Sequence, residues 1–136
     1  MDDLERFIDA QRATYATALA EIEAGAKRSH WMWYVFPQLR GLGQSEMAYR
    51  FGIAGRDEAA RYLAHGVLGP RLVRIAEAML AHDGRDAAAI LGPVDALKLR
   101  SSMTLFASLP DAPPVFGAVL DTFFDGPDPR TLDLLK

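Results

Sequence analysis

Four of the chain's thirteen aromatic residues fall within the six positions from Trp31 to Phe36, and no solvated loop needs that density of ring. Each aromatic side chain buries roughly 150–250 Å², so Trp31, Trp33, Tyr34 and Phe36 form a natural anchor for a core in a chain of 136 residues. The flanks of this cluster are polar: His30 precedes it, and Gln38, Arg40 and Ser45 follow. Near a buried cluster such groups must find hydrogen-bond partners or a ligand. The cluster has strand-like propensity but no second strand nearby to pair with, so it reads as irregular or a short helix. Pro37 disfavours helical geometry at Phe36, and Gly41 and Gly43 make residues 37–43 a loop.

The rest of the chain is punctuated for helices. Leu4, Phe7, Ile8, Tyr15, Ala18, Leu19 and Ile22 recur at steps of three and four, as on one face of an amphipathic helix. That helix is expected to run about 20 residues from a cap at Asp2 or Asp3 to a stop at Gly25. Lys27 and Arg28 follow, where positive charge suits its carbonyl end. Ser45 caps a short helix reaching Phe51, and shorter helices are expected over 57–64 and 86–91. Then one device repeats: a proline at the first turn followed by an apolar periodic run. Pro70, Pro93, Pro114 and Pro129 open helices over 71–81, 94–107, 115–124 and 130–135, because a proline's missing N–H would be unpaired there anyway. The chain therefore reads as all-α, a compact multi-helix single domain over residues 1–136, with an aromatic-rich irregular segment after the first helix.

Composition removes several function classes. There is no cysteine, which excludes disulfides, thiolate nucleophiles and cysteine-ligated metals and favours a cytoplasmic protein. The apolar runs fall short of the roughly 18 residues of a spanning helix, and the acidic start lacks the basic region of a secretory signal, so no membrane association is expected. With 15 basic and 18 acidic residues, the chain has no bulk positive field for general nucleic-acid binding. Its three histidines are separated and lack the H-x-x-x-H spacing of a metal site, so no metal or cofactor is expected. His65 and His82 lie near helix ends, where a partial positive charge interacts well with carbonyls.

Chemistry concentrates in two places. The helix from Val94 carries apolar residues in most directions, so protein should surround it. Charge on such an element must be paired. Asp95 either caps its own helix and pairs with Lys98 three residues on, or Lys98, Ser101 and Ser102 face a pocket roofed by the aromatic stretch. His30 is either a structural histidine or a general acid or base, its ordinary pKa near 6.5 suiting proton transfer around neutrality.

These two segments also carry a resemblance. His30-Trp31-Met32-Trp33-Tyr34-Val35-Phe36-Pro37-Gln38, continued by Gly41-Leu42-Gly43 and Phe51-Gly52-Ile53, together with Asp95 and Lys98 through Phe106, resemble the signatures of a bacterial family of unknown function. Genome annotation often labels its members calpastatin. The resemblance covers essentially the whole chain and implies a mainly helical fold and no assigned activity. A disordered inhibitor would be polar and poor in aromatics, whereas this chain is 50% hydrophobic.

The reading that follows is a small polar or anionic, nucleotide-like ligand held between the 30–45 segment and the 93–107 helix. Trp33, Tyr34, Gln38, Asp95, Lys98, Ser101 and Ser102 are the binding candidates, with His30 the candidate proton carrier. The rivals are a protein-interaction module using exposed aromatics, a scaffold whose polar residues satisfy one another, and a hydrolase of ADP-ribose-like or ribosylated compounds, for which no diagnostic motif is present. Exposure of Trp31 and Trp33 separates the first three.

Overall fold

The computed structural model describes residues 3–136, and its described residues form ten α-helices and no strand: α1 Glu5–Arg12, α2 Tyr15–Ala24, α3 Met32–Val35, α4 Glu46–Arg50, α5 Arg56–Ala64, α6 Leu68–Leu80, α7 Ala87–Leu91, α8 Pro93–Ala107, α9 Pro114–Phe123 and α10 Pro129–Leu134. The sequence-predicted caps and first-turn prolines place most of these starts within a residue. Ser45, Asp86 and Asp128 each accept a backbone N–H of the helix they open, which satisfies a donor that has no partner within the helix.

The first helix departs from expectation, because it is two helices. Thr14 leaves helical geometry at φ −125° and donates its hydroxyl back to the Ala10 carbonyl at 2.7 Å, the local bond by which threonine competes with helix. The buried positions Phe7, Gln11, Ala18 and Ile22 keep helical spacing across the break, so the apolar stripe carries no trace of it. Beyond α2 the chain turns through Gly25 at φ 74°, a left-handed conformation that favours glycine. The His82 ring nitrogen Nε2 lies 2.6 Å from the Ile22 carbonyl at that helix end.

His65 behaves differently from the sequence expectation. Its Nδ1 accepts from the Val67 and Leu68 amides at 3.1 and 3.3 Å, so it caps the start of α6 instead of facing carbonyls. Helix α6 thereby begins at Leu68, ahead of the start expected after Pro70.

Helix α8 is the hub. It packs against α5, α7, α9 and α10, and Ser101 through Phe106 are all buried. Its first turns are not enclosed: Val94 and Leu97 are 66% and 63% exposed. A chain of rings links the rest of the core. Tyr34 packs on Phe51, Phe51 on Phe7, Phe7 edge-on to Tyr62, Tyr62 on Phe106 and Phe106 on Phe116, with centroids 5.1–5.9 Å apart. The loop after α3 is pinned by a parallel bridge between Leu39 and Ile53, in which Arg40 N–H donates to Ile53 and Ile53 N–H to Gln38.

Candidate functional site

The aromatic stretch is mostly core. Trp31, Met32, Val35 and Phe36 are each 1% exposed, and only Trp33 of its four rings is half-buried. Trp31 donates its indole N–H to Glu21 Oε1 at 2.9 Å. The same carboxylate accepts from the Arg28 and Ser29 amides and the Ser29 hydroxyl. Burial pushes the Glu21 pKa up, but those four donors to the ionised form outweigh it and hold it down at about 2. Glu21 thus fixes residues 28–31 against α2.

A run of alternating rings and charges follows. Lys27 Nζ, its side chain 7% exposed, lies 2.9 Å from Asp95 Oδ2, donates to the Ser29 carbonyl at 2.6 Å and stands 5.0 Å from the Trp31 ring centre. Asp95 Oδ1 is 3.5 Å from Lys98 Nζ, and Lys98 Nζ sits 4.2 Å over the Trp33 ring. Both lysines therefore share one carboxylate, and each adds a cation–π contact. The expected Asp95–Lys98 pair is present, and the two sequence segments meet through Lys98 and Trp33.

Lys98 also lines a cleft of about 290 Å³. Gln38, Leu42 and Gly43 form one wall, Val94, Leu97, Lys98 and Ser101 of α8 the second, and Asp128 and Arg130 at the start of α10 close it. This third wall is fastened to α8. Arg100 donates to the Gly126 and Pro127 carbonyls, and Thr104 Oγ1 accepts the Asp128 N–H at 2.8 Å. Asp128 Oδ2 in turn accepts from Thr131 N, Thr131 Oγ1 and Ser101 Oγ, so its charge is largely occupied as a helix cap. Arg130 reaches across to the Leu42 carbonyl at 3.3 Å.

Of the residues singled out in the sequence, Gln38, Lys98 and Ser101 line this cleft, with Trp33 and Asp95 in contact with Lys98. Three others lie elsewhere. Tyr34 is buried against Phe51; Ser102 is fully buried, its hydroxyl without a hydrogen-bond partner; His30 is exposed, and its carbonyl accepts the Tyr34 hydroxyl at 3.4 Å. Sequence reasoning missed Lys27, Asp128 and Arg130 as neighbours of Lys98. The Asp128-Pro129 start signal gave Asp128 a role as a cap, but nothing local shows that α10 returns to α8.

Comparison with known proteins places the whole chain. Residues 1–135 match the model of a family described as protein of unknown function, DUF1810. The chain belongs to this family. The crystal structure of the conserved hypothetical protein Rv1873 from Mycobacterium tuberculosis, at 1.38 Å, is similar to it with a TM-score of 0.95 and 50% sequence identity, covering 98% of this chain and 96% of that one. No curated protein matches. The chain's family and its all-α fold rest on these likenesses, and neither name carries an activity.

Proposed function

We propose that this DUF1810 protein binds a small anion, of the size of a sugar phosphate, in the cleft between residues 38–43, the first half of α8 and the start of α10. The observation that carries this reading is the charge balance around Lys98. Lys27 and Lys98 share the single carboxylate of Asp95, and Arg130 adds a third cation against an Asp128 carboxylate already engaged by three donors. One positive charge is left over at the cleft. Gln38 supplies a neutral amide, and the exposed Val94 and Leu97 side chains offer apolar contact for the uncharged part of the ligand. The volume, about 290 Å³, lies at the small end of the range for ligand sites.

Binding, not proton transfer, is what these residues suit. His30 is outside the cleft, and Trp31 is too deeply buried to anchor a partner protein. The test is calorimetric titration with a panel of sugar phosphates and mononucleotides, on the native chain and on Lys98→Met and Arg130→Gln. A ligand of this site loses about tenfold in affinity or more in each variant, the usual consequence of deleting a charge-assisted contact. Absence of any binding at millimolar ligand, or a panel in which no ligand loses affinity on either substitution, would overturn the reading.

A further inference from the structure

A second and larger cleft, about 820 Å³, lies on another part of the surface, between α1, residues 40 and 49–54, and α5. Its lining carries several charges of each sign, which at first suggests a solvated, self-neutralising surface. Wall by wall, however, the charges are unevenly spread: Asp3 and Glu5 stand at the start of α1 and Arg61 on α5, while Arg40 and Arg50 share the wall with Tyr49. Arg6 is spent inside the protein: its guanidinium donates to the Asp3, Arg50 and Gly52 carbonyls and to Glu58 Oε1. Glu58 is neutralised by that contact at 3.1 Å and also accepts the Ala54 N–H. Asp9 pairs with Arg12. Arg40 and Arg50, by contrast, rest on rings. The Arg40 guanidinium lies 4.7 Å over Tyr49 and donates through Nε to the Tyr49 carbonyl, and Arg50 lies 5.1 Å over Phe51. Tyr49 itself is 68% exposed, the most exposed large hydrophobic side chain among the described residues.

The wall that bears these three side chains is held rigidly. Arg6 clamps the carbonyls of Arg50 and Gly52 at 2.7 and 2.9 Å, and the Leu39–Ile53 bridge holds residue 40 beside them. At Gly52 a Cβ would stand 2.8 Å from the Arg40 Cα and the Ala48 carbonyl, so only glycine permits this close approach. A buried Arg–Glu pair is a costly way to gain stability alone. Here it fixes a surface, and a prearranged surface loses little entropy on binding.

We infer that this cleft takes a phosphomonoester bearing a planar ring, a nucleoside monophosphate in chemical class, with the ring stacked on Tyr49 and the phosphate held by Arg40 and Arg50. Guanidinium forks match phosphate oxygens bidentately, and a ring already backed by a guanidinium on one side offers its other side for stacking. The site shares no lining residue with the Lys98 cleft and does not rest on the function proposed there.

The experiment is an amide chemical-shift titration with AMP, with ribose 5-phosphate lacking the ring and adenosine lacking the phosphate as companions. AMP is expected to shift the amides of residues 49–52. Arg50→Gln should weaken both phosphate-bearing probes by about tenfold, while Tyr49→Ala weakens AMP more than ribose 5-phosphate, because the Arg40 Nε keeps its bond to the residue 49 carbonyl when the ring is gone. Both side chains are exposed, so the fold survives, as circular dichroism will verify. The double variant Lys98→Met, Arg130→Gln should leave these shifts intact, which separates failure here from failure of the Lys98 cleft. Absence of shifts at 49–52 with millimolar AMP, AMP binding insensitive to Tyr49→Ala, or adenosine binding as tightly as AMP would each overturn the inference.

Discussion

At the scale of single residues, Glu21 and Ser102 illustrate opposite fates of a polar group near the core. Glu21 has four donors and a pKa held at about 2 against an ordinary 4.5. Because the folded form binds its proton less readily than the unfolded chain, its contribution is complete above pH 4.5 and fades as pH falls toward 2. Glu21→Gln should therefore cost about 1 kcal/mol at pH 7, the charge-assisted value reduced by its contact with solvent. The difference in melting temperature between variant and native chain should shrink through that acidic window. Ser102 has the reverse problem, a buried hydroxyl with no partner. Ser102→Ala should be neutral or stabilise by up to about 1 kcal/mol in urea unfolding, whereas Thr104→Ala should cost about 1 kcal/mol or more. The Thr104 hydroxyl donates to the Arg100 carbonyl and accepts the Asp128 amide. Residue type alone does not separate these cases. Ser101 and Ser102 are neighbours in sequence, yet one lines the cleft and the other faces the packed interior.

At the scale of elements, helix starts were legible because their signals are local. Ser45, Asp86, Asp128 and the prolines of α8, α9 and α10 act through backbone geometry within one turn, whereas α6 starts at Leu68, ahead of Pro70, behind the cap from His65. The division between α1 and α2 was hidden because Phe7, Gln11, Ala18 and Ile22 preserve the stripe through it, and a stripe reports which face is buried without reporting continuity. The site was legible to the extent that it lies on α8 and the loop after α3: Gln38, Lys98, Ser101 and the Trp33 contact. Arg130 and Lys27 join it through tertiary packing over long separations, for which a single sequence holds no signal. Asp128 belongs to both levels, capping α10 and bonding Ser101 of α8. Asp128→Ala should cost about 1–2 kcal/mol and speed hydrogen exchange at Thr131 and Leu132 more than at α9. Uniform acceleration would mean that α10 unfolds only with the whole domain.

At the scale of the whole molecule, α1 is joined to the rest by polar bonds as well as by Phe7. Gln11 donates to the Tyr34 carbonyl and the Tyr62 hydroxyl at 2.6 and 3.0 Å, tying α1 to α3 and α5. Arg6 ties it to residues 50–52 and to Glu58 of α5. These bonds cross sequence separations of 23 to 52 residues, so they form only when the fold closes and should make α1 part of one cooperative unit. The Arg6–Glu58 pair gives the sharpest test, because its side chains are 10% and 7% exposed and neither charge can be left there alone without penalty. Arg6→Met strands the Glu58 carboxylate and should cost about 3–5 kcal/mol. Glu58→Gln should cost less, since Arg6 keeps its carbonyl acceptors at Arg50 and Gly52. In the double variant the stranded charge is gone, so the loss should fall short of the sum of the single losses by about 1–3 kcal/mol. Urea unfolding at pH 7, followed by tryptophan fluorescence and by helical circular dichroism, measures both claims. Coincident curves with a non-additive cycle are expected. Strict additivity would show that the two charges do not stabilise one another, and separate transitions would show that α1 is a detachable element.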